Sequence, residues 1–151
     1  MYATSADFAR IRPPRGISVS ALSYEYPAGS RVPDHAHGSD QLIYAIEGIV
    51  EVSSGRNLWT LPPQFALWLP AKTFHRIQMI GAVRMPTLYF RPGTVLRRQR
   101  GSSLLYVVPL LRELIIEAVR LGRLRQRNLP ECDVRDLLAL HWQTQQPRPL
   151  G

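Results

Sequence analysis

The chain has 151 residues with 19 basic and 11 acidic side chains, a formal charge of +8. At 45% hydrophobic and 20% charged residues, it fits one domain with its own core, which excludes wholesale disorder. No apolar run reaches the length of a membrane span, the opening MYATSADFARIRPPRG lacks a signal-peptide core, and the single Cys132 leaves no internal disulfide or thiolate zinc site, so a reducing cytoplasm is the expected compartment.

Residues 1–16, with Pro13, Pro14 and Gly16, read as an irregular lead-in. From Ile17 the pattern changes to short runs rich in β-branched and aromatic residues. These are 17–26, 41–46, 49–53, 57–61, 65–69, 74–80 and 83–90, cut by Pro27-Ala28-Gly29, Glu47-Gly48, Ser54-Gly55, Pro62-Pro63, Pro70 and Gly81. Runs of this length between such breaks predict an all-β sandwich or barrel. Residues 91–103 read as a connector and 104–108 as a last strand, which bounds the barrel at 17–108. Pro109 suits the first turn of a helix. Leu111, Leu114, Ile115 and Ala118 then fall on one helical face, with Gly122 as the stop. A second helix is expected from Asp133, with Val134, Leu137, Leu138 and His141 on one face and Trp142 beside them. This makes 109–145 a helical linker and dimerisation segment and 146–151 a tail. Between Arg97 and Arg127 eight Arg face two Glu. No base-reading motif accompanies that cluster, so it reads as a solvated surface.

The information-bearing stretch runs from Gly29 through His35-Ala36-His37 and Gln41 to Gly48. Residues two apart in a strand share a face, so His35, His37, Gln41, Ile43 and Ala45 are expected to point into the barrel. His75, after the Pro70–Phe74 turn, supplies a third imidazole. Three imidazoles on one inner surface can hold one transition metal ion or bind an effector's carboxylate or phenol directly.

This spacing resembles the two-part signature of the cupins, Gly-x5-His-x-His-x3-Glu-x6-Gly followed by Pro-x-Gly-x2-His. Gln41 stands where that pattern has its metal-binding Glu, and Lys72 where the second element has Gly. The wording of HAHGSDQLIYAIEGIVEV and NLWTLPPQFALWLPAKTFHRIQMIGAVRMPTLYF is similar to the N-terminal sensor domain of AraC-type transcriptional regulators. PLLRELIIEAV resembles their linker helix. The resemblance covers roughly residues 16–140. It implies a bacterial, mainly β fold: a cupin-like jelly-roll barrel followed by two C-terminal helices. It also implies a small-molecule or metal effector, a homodimer through those helices, and DNA contact only through a helix-turn-helix domain absent from this chain.

His35, His37, Gln41 and His75 are then the metal-ligand candidates, for one divalent ion (Zn, Ni, Fe or Mn). A neutral Gln offers a carbonyl oxygen where Glu would offer a charge, which weakens that site. Ile43, Tyr44, Trp68, Ile77 and Met79 are the candidate effector contacts. Leu111, Leu114, Ile115 and Ala118 are the candidate dimer seam. No general acid or base is evident beside the histidines, so a non-catalytic sensor is favoured over the alternative, a small metal-dependent cupin dioxygenase or isomerase.

Overall fold

The computed structural model describes residues 13–95 and 101–125. Nine strands and one helix follow in order: β1 (Ile17–Tyr26), β2 (Arg31–His35), β3 (Asp40–Tyr44), β4 (Glu47–Ser54), β5 (Asn57–Leu61), β6 (Phe65–Leu69), β7 (His75–Phe90), β8 (Ser103–Tyr106), α1 (Pro109–Leu121) and β9 (Arg123–Arg125). The fold is mainly β. All described strand pairings are antiparallel.

The sixteen-residue β7 is the spine. Its first half lies between β2 and β4, with Ile77 opposite both Val32 and Val52. Its second half lies between β1 and β3, with Leu88 opposite both Ala21 and Leu42. Strands β5 and β6–β8 extend the sheet on either side, and the whole curls into a nearly closed barrel. The two sequence runs expected at 74–80 and 83–90 are therefore one strand. Gly81, at φ 75°, lets it continue where the β4 register shifts. Strand β2 was not expected, because Pro33 and Asp34 interrupt its apolar pattern. Its register shifts between Val32 and His35, so both residues point inward.

Gly48 is fixed by two constraints. Its φ is 82°, and a Cβ there would lie 2.3 Å from the Ala82 carbonyl oxygen. Only glycine meets both at this crossing of β4 over β7.

Side-chain alternation divides the buried residues into two apolar clusters. Inside the barrel lie Val32, Ile43, Ala45, Val50, Val52, Leu61, Leu67, Leu69, Ile77, Met79, Val83 and Met85. The other cluster lies between the sheet and α1, and includes Val19, Ala21, Leu42, Tyr44, Ala66, Trp68, Leu88, Phe90, Leu111, Ile115 and Ala118. Burial of each large side chain here contributes roughly 1.5–3 kcal/mol.

Helix α1 begins at Pro109 and ends at Gly122, whose N–H donates to the Ala118 carbonyl. Three of the four residues expected at a dimer seam face inward within the chain. Leu111, Ile115 and Ala118 are buried against the barrel of their own chain, with Leu114 packed beside them. The helix lies on the sheet because the chain turns back. Gly122 accepts a bond from the Ala21 N–H, and β9, unexpected from the sequence, pairs with β1. The helix expected from Asp133, with Val134, Leu137, Leu138, His141 and Trp142, lies outside the described residues. So do Cys132, the 146–151 tail and most of the lead-in.

Candidate metal and effector site

His35 closes β2, His37 follows in the loop to β3, and His75 opens β7 directly opposite His35. All three are buried, at 1–4% exposure. Their ring centroids are 4.2 Å apart for His35–His75, 5.2 Å for His37–His75 and 5.6 Å for His35–His37. One nitrogen from each lies within 4.8 Å of the others.

Local backbone sets the tautomers. Nδ1 of His35 lies 2.8 Å from the Pro33 carbonyl, Nδ1 of His75 2.8 Å from Thr73 O, and Nδ1 of His37 3.0 Å from Ser39 O. Each Nδ1–H donates to its carbonyl, which leaves the lone pair on Nε2. Burial lowers all three pKa values, that of His75 to about 3. For His75 the neighbouring His35 and His37 add to the effect. The imidazoles are therefore neutral at pH 7, the form that binds metal. Nε2 of His75 is buried without a hydrogen-bond partner. An orphaned lone pair facing two other imidazoles suits a metal ion: neutral nitrogen donors whose rings are already oriented by backbone carbonyls on Nδ1.

Gln41 joins this group. Its Oε1 is 2.7 Å from His37 Nε2. A neutral His37 has one N–H, already given to Ser39. The consistent arrangement therefore turns the Gln41 amide so that its NH2 donates to the His37 lone pair. Asp40 faces away, as its parity dictates, and its Oδ1 accepts from the Ala71 N–H at 2.8 Å. That bond anchors the turn delivering His75. In the same turn Lys72 has φ 66° and donates its N–H to the His37 carbonyl. A lysine thus occupies the left-handed position that glycine adopts without strain.

The expected effector contacts divide between two places. Ile43, Ile77 and Met79 lie inside the barrel with the histidines. Tyr44 and Trp68 do not. Tyr44 is three residues from Gln41 and so on the opposite face of β3, where its hydroxyl bonds Arg112 of α1. Trp68 pairs with Leu42 rather than with Gln41 or Ile43, and stacks 5.1 Å from Phe90 under the helix. Both are scaffold.

Two inner-face residues were missed. Tyr89, opposite Gln41, stands edge-on to His37 at 5.4 Å. Burial raises its pKa, and its hydroxyl bonds Tyr24. Thr87, opposite Ile43, buries a hydroxyl with no partner. Odd-number parity carried along β7 from His75 would have found both.

Residues 17–142 match the family described as the AraC-like ligand binding domain. The HTH-type transcriptional regulator NimR of Escherichia coli (strain K12) is 33% identical over 84 residues, covering 56% of this chain and 30% of that protein. The match thus spans less than a third of that relative's length. Among solved structures, ToxT from Vibrio cholerae O395, bound to (E)-4-(8-methylnaphthalen-1-yl)but-3-enoic acid, superposes with a TM-score of 0.67 at 7% identity. That likeness of fold covers 84% of this chain and 56% of the other. The cupin domain of Schizosaccharomyces pombe Cnp3 gives a TM-score of 0.48 at 20% identity, covering 54% of this chain and 57% of that one.

Proposed function

Because the chain belongs to the AraC-like ligand binding domain family, we propose that it is the effector-sensing part of a bacterial transcription regulator acting in the cytoplasm. The observation that carries the reading is the buried cluster of His35, His37 and His75, in which His75 Nε2 has no hydrogen-bond partner. In this reading the three imidazoles hold one divalent transition metal (Zn, Ni, Fe or Mn). When bound, the ion supplies a Lewis-acidic point that fixes an effector's polar group. Ile43, Ile77 and Met79 supply the apolar wall, and Tyr89 the edge against which His37 is positioned. Gln41 holds the His37 lone pair until an ion takes it.

The response reaches DNA through a helix-turn-helix domain joined beyond α1. The route is short: β7 carries His75 at one end and the α1-packed Leu88 and Phe90 at the other. A ligand that binds one of two such arrangements better shifts the balance between them. In a homodimer of the kind this family suggests, the partly buried Leu114 is the member of the α1 stripe that stays within reach of a second copy, while Leu111, Ile115 and Ala118 pack on their own barrel.

Sensing is favoured over catalysis because the described buried polar side chains, Ser30, His35, His37, Ser39, Gln41, His75 and Thr87, include no carboxylate. The test is metal content by mass spectrometry on untagged protein beside the double variant His35→Ala/His37→Ala. One metal per chain, lost in the variant, is expected. No metal in the wild type after loading and desalting would return the histidines to direct effector binding, and sustained turnover of a cupin-type substrate would favour an enzyme.

A further inference from the structure

The donor set has a consequence for what the site binds. His35, His37 and His75 each offer a cation an uncharged imidazole nitrogen, and the Gln41 amide that touches His37 is uncharged too. Around them the inner wall carries apolar Val32, Ile43, Leu69, Ile77 and Met79, and the hydroxyl-bearing Thr87 and Tyr89. Among the described residues, the acidic groups that His35 and His37 feel through space are Asp34 and Asp40. Asp34 is exposed on β2, and Asp40 is turned to the Ala71 N–H. A divalent cation held here keeps its full +2 charge in a low-dielectric interior, and a buried charge demands a partner.

We propose that the effector is itself the missing anion: a small carboxylate that binds beside the three histidines and offsets the charge of the bound cation. This rests on the metal reading above and adds the chemical class of the ligand. The neutral Gln41 is then the specificity-determining residue. An acid at that position would satisfy the cation from within and leave no electrostatic demand for an outside carboxylate. The neutral amide also avoids like-charge repulsion of an arriving anion. Thr87, whose buried hydroxyl has no partner, is a second polar group on the same inner face of β7.

The test uses full-length protein loaded with Co(II), read by its visible ligand-field absorption and titrated with azide and with acetate. Zn(II) affinity is measured in parallel by calorimetry. In the wild type both anions should shift the Co(II) bands. Gln41→Glu should bind Zn(II) at least about tenfold more tightly, and the two anions at least about tenfold more weakly. Gln41→Ala, which stays neutral, should keep the anion response, which separates charge from packing. Co(II) bound with bands unmoved by either anion would overturn the proposal while leaving the metal site standing. So would anion binding equally tight in Gln41→Glu. Failure of the wild type to bind either Co(II) or Zn(II) would overturn both readings together.

Discussion

Strands β3 and β6 each serve two interiors, and the two differ in kind. On one face Leu42, Tyr44, Ala66 and Trp68 meet Leu111, Ile115 and Ala118 of α1. On the other, Gln41, Ile43, Leu67 and Leu69 face the barrel, where His35, His37 and His75 gather. The helix side is a packed, largely apolar layer in which the Tyr44 hydroxyl finds Arg112. The barrel side buries two polar atoms without partners, His75 Nε2 and Thr87 Oγ1. A buried polar group left unpaired destabilises the fold. Its concentration on one face is what supports the proposal of a ligand there, while the other face is packed as the domain's apolar layer.

The largest effect should come from breaking the helix side. Trp68→Ala is expected to lose about 3–5 kcal/mol in urea unfolding, the range for a buried aromatic truncated to Ala. Metal affinity of the folded protein should be unchanged. A comparable loss of metal binding would mean that the two faces are not separable.

Acid should sharpen the contrast from the other side. His75 titrates at about 3 when folded, against 6.5 in its ordinary state. The unfolded chain therefore takes up its proton first. The stability tied to neutral His75 is full above pH 6.5 and is lost as pH falls from there toward 3, with a slope approaching about 1.4 kcal/mol per pH unit. Unfolding free energies across that window should lose one proton's worth of slope in His75→Leu and keep it in Trp68→Ala.

His75→Leu at neutral pH is the matched barrel-side change. It removes an orphaned nitrogen together with one hydrogen bond to Thr73 O, so it should shift stability by only about 1–2 kcal/mol while abolishing metal uptake measured by calorimetry. Smallest is Lys72→Gly. Relieving a left-handed non-glycine residue should raise stability by about 1 kcal/mol. A melting curve that falls instead would show that the Lys72 side chain contributes more than its backbone costs.

Much of this division was legible in the sequence. Parity alone placed His35, His37, Gln41, Ile43 and Ala45 inward, because a one-residue slip would expose all of them. The same rule, applied to Tyr44, would have put it under the helix. Periodicity gave the buried stripe of α1 but not its partner, since an apolar face fits a second copy and its own barrel equally well. What reveals the partner is the return of the chain at Gly122 and the three-residue β9, too short to leave an apolar pattern. Strand β2 escaped for a related reason: Pro33 and a register shift break the alternation that identifies a strand. A break at Gly81 hides Tyr89 and Thr87, although β7 keeps its odd-inward order through it.

The most direct test is the melting temperature of three proteins with and without ZnCl2: wild type, His35→Ala/His37→Ala and Trp68→Ala. At a hundredfold excess over Kd, binding adds about 2.7 kcal/mol, on the order of 5–10 °C for a chain of this size. The wild type should rise by that amount, Trp68→Ala should rise equally from a lower starting point, and the double variant should not move. A wild type indifferent to zinc, or a rise that survives loss of His35 and His37, would contradict the assignment of the barrel face as the binding face.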